Sequence, residues 1–223
     1  MTSGFRRLPG YLDAPAQRRL LGEVRKVIGA APLYRPNMPR TGKPFSVAMT
    51  NCGGLGWVSD KAGGYRYQGT HPVTGEPWPA IPKSLLRLWS DVVPDAEPPE
   101  ACLVNWYAAG TRMGLHVDRD EEDLSAPVVS VSLGDDAWFR IGGVSRREAT
   151  TRVLLRSGDV VILGGAARLA YHGIDRILPG TSDLIGEPGR INLTLRRVSL
   201  PCFGRKKRDK SRRPNDCKPR SRG

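Results

Sequence analysis

A series of short runs rich in β-branched residues constrains the fold of this chain most. These runs cover residues 101–107, 127–134, 137–143, 151–155, 158–165 and 190–198, and most are bounded by Gly or Asp. Segments of this length and composition predict β-strands. Because strands follow one another so closely along the chain, the pattern favours a β-sandwich or jelly roll.

Two amphipathic stretches predict helices that flank the strands. The first covers residues 16–28 and carries an apolar stripe along one side. That stripe consists of Leu20, Leu21, Val24, Val27 and Ile28. Asp13 is a suitable N-cap and Gly29 a suitable end for this helix. The second helix covers about residues 81–90, and the acidic, proline-rich residues 94–100 end it.

Charge is distributed unevenly along the chain. Residues 205–223 contain ten Lys or Arg and two Asp, so this segment carries +8 of the net charge of +13. A tail with so few apolar residues is predicted to be disordered and to attract phosphate backbones. A solubilising tail without a dedicated partner is the alternative.

Several classes of protein are not indicated by the sequence. No stretch approaches the roughly 20 apolar residues that span a bilayer. The N-terminal residues lack the apolar core of a secretory signal, so we expect a cytoplasmic protein without membrane contact. Cysteines 52, 102, 202 and 217 form no Cys-x-x-Cys pair, which argues against a zinc knuckle and against a disulfide scaffold.

His116 and Asp118 are candidate metal ligands. Side chains two residues apart in an extended segment point to the same side, so this imidazole and this carboxylate can reach one ion together. A third ligand would have to be His71 or His172, since the chain contains three histidines. Two imidazoles with one carboxylate suit non-haem Fe(II) and leave coordination positions open. The alternative is a surface pair on a loop.

The last predicted strand has one polar face and one apolar face. Arg190, Asn192, Thr194 and Arg196 alternate with Ile191, Leu193 and Leu195. If the polar face points inward, the two guanidinium groups would bind a small molecule with two carboxylates. Asn105 and Tyr107 also lie two residues apart and would face the same cavity. If the polar face points outward, it is an ordinary wet surface.

Large aromatic residues occur in a Gly- and Pro-rich segment that precedes the second helix. Trp57, Tyr65 and Tyr67 lie on segments flanked by glycines, which we expect to be flexible loops. Aromatic rings outside a core are typical of proteins that stack nucleic-acid bases. Core packing or loop anchoring is the alternative.

Several segments together resemble the AlkB family of Fe(II)- and 2-oxoglutarate-dependent nucleic-acid dealkylases. They include Leu103-Val-Asn-Trp-Tyr, Leu115-His-Val-Asp-Arg-Asp, Tyr171-His-Gly and Arg190-Ile-Asn-Leu-Thr-Leu-Arg, and they occur in the order of that family between about residues 45 and 196. The resemblance implies a mainly β protein with flanking helices, built as a double-stranded β-helix or jelly roll.

The resemblance also implies roles for individual residues. His116, Asp118 and His172 would hold Fe(II) as the catalytic centre, and His71 would remain a loop histidine. The 2-oxoglutarate would bind to Asn105, Trp106, Tyr107, Arg190, Asn192 and Arg196. The substrate nucleotide would contact Trp57, Tyr65, Tyr67, Asp120 and Arg146.

Two features depart from the family pattern. The segment between Trp57 and Tyr65 is one residue longer, and Leu163 stands where a tryptophan is expected before Gly164. Both would change substrate range or the fit of the lid without touching the iron.

The reaction implied by the resemblance is oxidative dealkylation. Fe(II), 2-oxoglutarate and molecular oxygen, assisted by ascorbate, would remove methyl groups from adenine or cytosine and release formaldehyde, succinate and carbon dioxide. The partners would be alkylated DNA, single- or double-stranded, and also RNA, with the enzyme acting as a monomer. The target base must leave the stack to reach the iron.

We expect four segments along the chain. They are an N-terminal extension with a supporting helix at residues 1–44, a nucleotide-recognition lid and second helix at 45–100, a dioxygenase core at 101–204 and the basic tail at 205–223.

Two other functions remain open from the sequence. One is a 2-oxoglutarate-dependent hydroxylase of a protein or a small molecule on the same scaffold. The other is a non-catalytic nucleic-acid binder, which would require the loss of a metal ligand, and none of the three is missing.

Overall fold

The computed structural model describes residues 3–201, in which β-strands predominate over helices. The helices are α1 (Ala14–Ala30) and α2 (Lys83–Val92). The strands are β1 (Phe5–Leu8), β2 (Ala48–Gly53), β3 (Gly56–Asp60), β4 (Gly64–Gln68), β5 (Ala101–Ala108), β6 (Met113–His116), β7 (Val128–Gly134), β8 (Asp136–Ile141), β9 (Thr151–Leu155), β10 (Val160–Leu163), β11 (His172–Leu178) and β12 (Gly189–Arg196). The predicted basic tail at residues 205–223 lies outside the described residues, as do Cys202 and Cys217.

Two antiparallel sheets form the frame of the molecule. The large sheet has six strands in the order β1-β10-β7-β12-β5-β2, and the small sheet has four in the order β6-β11-β8-β9. Strands β3 and β4 form a separate hairpin. This is the arrangement of a jelly roll, so the predicted fold class is confirmed.

The large sheet has a core on each face. On one face, the buried residues of β5, β7, β10 and β12 pack against α1 and α2, with Leu21 and Trp89 as examples of the helix side. On the other face, the large sheet packs against the small sheet through residues such as Leu103 and Phe139. Because successive strand residues point to opposite faces, each central strand contributes to both cores.

The first helix begins as predicted and ends slightly later. Asp13 caps it, because its side chain accepts a hydrogen bond of 2.7 Å from the Ala16 backbone amide. The helix passes Gly29 and ends at Ala30, so the predicted end was one residue early. The predicted second helix is also present, as α2.

The largest difference from the sequence prediction lies in the aromatic segment. Trp57 is in β3, and Tyr65 and Tyr67 are in β4, so these residues belong to a regular hairpin and not to flexible loops. Trp57 lies directly opposite Tyr67 in that hairpin. Cross-strand pairs of large rings stabilise two-stranded ribbons, which the glycine content of the segment did not indicate.

The predicted division into four segments stays a prediction. Strand β1 from the first segment and β2 from the second pair with strands of the core in the large sheet. The sheet therefore unites stretches of chain that are distant in sequence.

Strands β6 and β11 approach each other unusually closely beside the candidate site. A Cβ atom added at Gly173 would lie 2.6 Å from the Met113 carbonyl oxygen and 2.8 Å from that of Gly114. The register between these strands shifts at the same place, between His172 and Ile174. Gly173 thus allows the strand that carries His116 to lie against the strand that carries His172.

Substitution of this glycine is expected to destabilise the protein. Gly173→Ala should lower the free energy of unfolding by about 1–3 kcal/mol, because both atoms that the new methyl group meets belong to the backbone. Urea unfolding of the two proteins measures this difference. Gly114→Ala is the matched control, since a Cβ at Gly114 meets nothing within 4 Å. Equal stability of the two variants would contradict this account of the strand contact.

Candidate metal centre and cosubstrate cavity

His116, Asp118 and His172 converge at one point. His116 and His172 are directly paired on β6 and β11, and Asp118 follows β6 by two residues. The Asp118 carboxylate lies 3.7 Å from His116 Nε2 through Oδ1 and 3.9 Å from His172 Nε2 through Oδ2. One ligand atom from each residue lies within 4.8 Å of the others. Since β6 ends at His116, Asp118 reaches this point from a loop and not from an extended strand.

Both imidazoles are held in the orientation that a metal requires. His116 Nδ1 lies 2.9 Å from the Gly114 carbonyl oxygen, and His172 Nδ1 lies 3.0 Å from that of Ala170. A carbonyl oxygen only accepts hydrogen bonds, so each Nδ1 carries the proton in the neutral ring. Each Nε2 is then left with a lone pair that points toward Asp118.

Electrostatics favour the ligand forms of these side chains. Burial acts to raise the pKa of the Asp118 carboxyl, but Arg196 and the two imidazoles outweigh it and hold that pKa well below its usual range. Burial and the neighbouring His116 lower the pKa of His172 to about 4. At neutral pH the site therefore offers an ionised carboxylate and a neutral imidazole, as metal binding requires.

His71 is a structural histidine. Its Nε2 lies 2.8 Å from the Pro32 carbonyl oxygen, and its Nδ1 accepts from the Val73 and Thr74 amides. The ring is buried beside Tyr34 and Trp78. The third imidazole of the cluster is therefore His172.

A cavity of about 700 Å³ opens above these three residues. The polar side chains that line its inner part come from the large sheet. They are Asn105, Tyr107, Ser130, Asn192, Thr194 and Arg196. Trp57, Tyr65, Asp120 and Arg146 line it as well. The cavity thus brings together most of the residues that the sequence singled out.

The polar face of β12 points inward. Arg190 is 0% exposed, and Asn192, Thr194 and Arg196 are also buried. Arg190 donates to the Asp135 carbonyl oxygen at 2.9 Å and to Ser132 Oγ at 2.5 Å, although it does not line the cavity. Burial lowers its pKa to about 10, so the guanidinium keeps its charge at neutral pH.

Two buried polar atoms near this face lack a hydrogen-bond partner within the described residues. They are Arg190 Nε, a donor, and Asn105 Oδ1, an acceptor. Burial raises the pKa of Tyr107, so its hydroxyl stays protonated and can donate. Buried polar atoms are almost always paired, so the Arg190 Nε donor and the protonated Tyr107 hydroxyl indicate an anionic acceptor such as a carboxylate. The Asn105 Oδ1 acceptor instead requires a donor.

Arg196 is already engaged within the protein. Its Nη2 donates to Asp118 Oδ2 at 2.8 Å, and its Nε lies 3.2 Å from Glu121 Oε1. Burial acts to lower its pKa, but Asp118, Tyr67 and Glu121 raise it above its usual value.

Trp106 differs from the other predicted cosubstrate residues. It lies on β5 between Asn105 and Tyr107, so its side chain points to the opposite face. There it packs against the core on the helix side and does not line the cavity.

The aromatic hairpin covers the cavity. Trp57 and Tyr65 stack with ring centroids 5.5 Å apart and an interplanar angle of 22°, and Tyr65 is 50% exposed. The Trp57 indole donates to Asp120 Oδ2 at 2.8 Å. Tyr67 points elsewhere, because its hydroxyl donates to Glu121 Oε1 at 2.6 Å and it does not line the cavity.

Arg146 and Leu163 occupy other parts of the wall. Arg146 is exposed, donates to the Leu115 carbonyl oxygen at 3.2 Å and lies 6.0 Å from the Tyr171 ring centroid. Leu163, which replaces an expected tryptophan, is buried at the end of β10 and lines the cavity. The longer segment between Trp57 and Tyr65 contains the turn of the hairpin.

Sequence reasoning missed the residues that support this site. Glu121 and Arg168 are buried and ion-paired at 3.0 Å, and Phe45 and residues 38–41 also line the cavity. Glu121 lies close to Asp118 in sequence, but nothing in a run of acidic residues shows which of them is buried.

None of the described helices has the length and apolar character needed to cross a membrane.

Comparisons with known proteins agree with this geometry. The sequence model of the 2OG-Fe(II) oxygenase superfamily matches residues 4–196. The alpha-ketoglutarate-dependent dioxygenase AlkB homolog of Caulobacter vibrioides strain NA1000 is 56% identical over 197 residues, which cover 87% of this chain and 88% of that protein. AlkB of Escherichia coli strain K12 is 43% identical over 188 residues, covering 82% and 85%. The solved structure of OsALKBH1 has a TM-score of 0.75 at 33% identity and covers 88% of this chain and 99% of its own.

Metal binding at this cluster should stabilise the fold. At a concentration about 100 times its dissociation constant, Mn(II) or Co(II) should raise the free energy of unfolding by about 2.7 kcal/mol. His172→Ala should abolish that increase, which urea unfolding with and without metal measures.

His71→Gln is the matched control for the metal prediction. It should lower stability, because His71 joins buried backbone groups, yet it should keep the full increase on metal addition. Loss of the increase in the His71 variant, or its retention in the His172 variant, would refute this ligand set.

Proposed function

Because this chain belongs to the AlkB family, within the 2OG-Fe(II) oxygenase superfamily, we propose that it dealkylates N-alkylated bases of nucleic acid by oxidation. The observation that carries the proposal is the convergence of His116, Asp118 and His172 beneath a hairpin of stacked aromatic rings. The cofactors of the superfamily are Fe(II), 2-oxoglutarate and molecular oxygen. When bound, they supply an oxidant for an alkyl C–H bond, with succinate and carbon dioxide as coproducts.

The metal is assigned to His116, Asp118 and His172. Two neutral imidazoles and one carboxylate suit Fe(II), since they leave positions open for a cosubstrate and for oxygen. The carbonyl groups that accept from the two Nδ1 atoms keep the ligand nitrogens directed at the ion. Arg196 keeps the carboxylate ionised before the metal arrives.

The 2-oxoglutarate is assigned to the inward face of β12 and the adjacent strand β5. Arg190 supplies a charged donor whose Nε still lacks a partner among the described residues, and Tyr107 supplies a protonated hydroxyl. Asn192 lines the same wall, where its amide donates to Ser130 Oγ at 2.6 Å. We assign no cosubstrate contact to Trp106, because it faces the opposite core.

The substrate base is assigned to the mouth of the cavity under β3 and β4. A flipped base would stack against the rings of Trp57 and Tyr65, and stacking tolerates different bases because each has a π face. The Asp120 carboxylate would accept from an exocyclic amine, and Arg146 would contact a phosphate. Tyr67 contributes to this lid indirectly, through its bond to Glu121.

The relatives include proteins that act on different nucleic acids. One relative at 30% identity is a DNA N(6)-methyladenine demethylase of Arabidopsis thaliana, and one at 38% identity is a tRNA demethylase of Schizosaccharomyces pombe. We therefore include both alkylated DNA and RNA as substrates of this chain. A hydroxylase of proteins or small molecules is less favoured, because the stacked aromatic hairpin suits a planar base.

We also propose a monomeric enzyme of the cytoplasm. All parts of the cavity, from the metal ligands to the lid, come from one chain, so a second copy is not required. Cys52 and Cys102 are free thiols at buried positions, which fits a reducing compartment.

Direct assay of methylated oligonucleotides tests the function. With Fe(II) and 2-oxoglutarate, single-stranded DNA and RNA carrying methylated adenine or cytosine should lose the methyl group, with equal amounts of formaldehyde and succinate. Mass spectrometry of the oligonucleotides and quantification of both products measure this result.

Asp118→Ala is the control for that assay and should abolish both products, because the metal loses its carboxylate ligand. A panel of peptides under the same conditions tests the alternative function. Hydroxylated peptide without demethylated oligonucleotide would overturn the proposal.

Substitution of Arg190 should affect the cosubstrate selectively. Arg190→Lys keeps the positive charge but loses the planar fork, so the KM for 2-oxoglutarate should rise at least about tenfold, as expected for loss of a charge-assisted hydrogen bond. Initial rates of succinate formation against 2-oxoglutarate concentration measure this change.

Arg152→Lys is the matched control, since Arg152 lies on the exposed face of the small sheet in an ion pair with Asp175. Its KM for 2-oxoglutarate should equal that of the wild type. An unchanged KM in the Arg190 variant would mean that the anchor is wrongly assigned.

A further inference from the structure

Arg168 is a buried cation that the proposed chemistry does not use. It follows the 3₁₀ turn Gly165–Ala167, is 2% exposed and does not line the cavity. A guanidinium so far from water is unfavourable unless its donors are satisfied. Its position therefore requires an explanation in terms of the groups that it binds.

The three side-chain hydrogen bonds of Arg168 within residues 3–201 all reach the loop between β6 and β7. Nη1 donates to the Asp118 carbonyl oxygen at 2.6 Å, and Nε donates to that of Ala126 at 2.8 Å. Nη2 donates to Glu121 Oε2 at 3.0 Å. This loop carries both the metal ligand Asp118 and the proposed base contact Asp120. Arg168 therefore holds the backbone of Asp118 and joins it to Ala126, near the other end of the loop.

Glu121 connects Arg168 to the β3–β4 hairpin that covers the cavity. Its carboxylate is buried, with Oε2 on Arg168 and Oε1 on the Tyr67 hydroxyl at 2.6 Å. Tyr67 lies directly opposite Trp57 in the β3–β4 hairpin. A displacement of the hairpin thus acts on the same carboxylate that Arg168 holds.

Arg196 completes the connection to the metal ligand. Its Nε lies 3.2 Å from Glu121 Oε1, and its Nη2 donates to Asp118 Oδ2 at 2.8 Å. The buried groups alternate in charge, from Arg168 through Glu121 and Arg196 to Asp118. Because the interior screens these charges weakly, the position of each group depends on its neighbours.

We infer that Arg168 is a positioning residue. It couples the contact between the β3–β4 hairpin and Glu121 to the orientation of Asp118. Oxidation of substrate is then efficient only when the hairpin contacts Glu121 through Tyr67. Loss of that contact disturbs Glu121 and, through Arg196, the metal ligand Asp118. The inference rests on the proposed function. Arg168 itself contacts neither the proposed metal ligands' side chains nor the residues assigned to substrate.

The principal test compares Arg168→Lys with the wild type. Lysine keeps the charge but cannot donate to Asp118, Ala126 and Glu121 in the fork geometry. Formaldehyde released per succinate formed should fall about fivefold or more, because the misoriented site consumes 2-oxoglutarate without oxidising substrate. The affinity of the metal-free protein for Mn(II) should fall about tenfold, as is typical when a group that orients a metal ligand is removed.

Arg152→Lys controls for loss of an arginine, and should keep both the product ratio and the Mn(II) affinity. If Arg168 only stabilises the fold, Arg168→Lys will lower the melting temperature yet retain the wild-type ratio and affinity. That result would overturn the inference.

A double-mutant cycle tests the path through Glu121. Tyr67→Phe removes the hydroxyl that bonds Glu121 but keeps the ring. It should also lower the product ratio and the Mn(II) affinity, and its effects should not add to those of Arg168→Lys, because both act through one carboxylate. Additive effects, or a Tyr67→Phe protein with wild-type values, would overturn the coupling.

Failure of the proposed function and failure of the Arg168→Lys variant to fold can both be distinguished from failure of the inference. If the wild type releases no formaldehyde from methylated oligonucleotides, the proposed function fails, while Mn(II) affinity across the cycle still decides whether lid and ligand are coupled. If Arg168→Lys does not fold, Tyr67→Phe and Glu121→Gln decide the question, and wild-type affinity and ratio in both would overturn the inference.

Discussion

The ion pair between Asp118 and Arg196 is the interaction on which the rest of the site depends. Asp118 lies in the loop after β6 of the small sheet, and Arg196 ends β12 of the large sheet, so the pair joins the two layers. Both groups are buried, and loss of one partner would leave an uncompensated charge at a cost of about 3–5 kcal/mol. The same contact keeps the carboxylate ionised, so the ligand set is prepared before a metal binds.

The jelly roll places polar side chains where a fold would ordinarily bury apolar ones. One face of β12 packs Ile191, Leu193 and Leu195 toward the helices, and the other directs polar residues between the sheets. Most of these polar groups are paired within the protein. Arg190 Nε and Asn105 Oδ1 are exceptions among the described residues. A carboxylate of the cosubstrate would satisfy the Arg190 Nε donor, whereas the Asn105 Oδ1 acceptor requires a donor.

The hairpin over the cavity is attached to this frame by several polar contacts. The Asn51 side chain of β2 binds the backbone amide and carbonyl of Trp57. Trp57 donates to Asp120, and Tyr67 donates to Glu121, so both strands of the hairpin bind the loop that follows β6. Entry of a base between the aromatic rings and that loop would compete with the Trp57 contact. The Tyr67 contact leads instead to the buried charges beneath Asp118, which gives the lid a physical route to the metal ligand.

The sequence by itself determined six strands of the core, the cap of the first helix and the residue types of the metal cluster, but it did not predict β11, which carries His172. These follow from local patterns, namely alternation, capping and the spacing of His116 and Asp118. These patterns left open which histidine completes the cluster and whether the arginine face of β12 points inward, and only the resemblance to the AlkB family implied His172 and an inward face. Only the tertiary structure decided these questions, because the pairing of His172 with His116 and the burial of Glu121 and Arg168 join residues distant in sequence. Local patterns show which face of a strand is polar, but packing between sheets decides what that face meets.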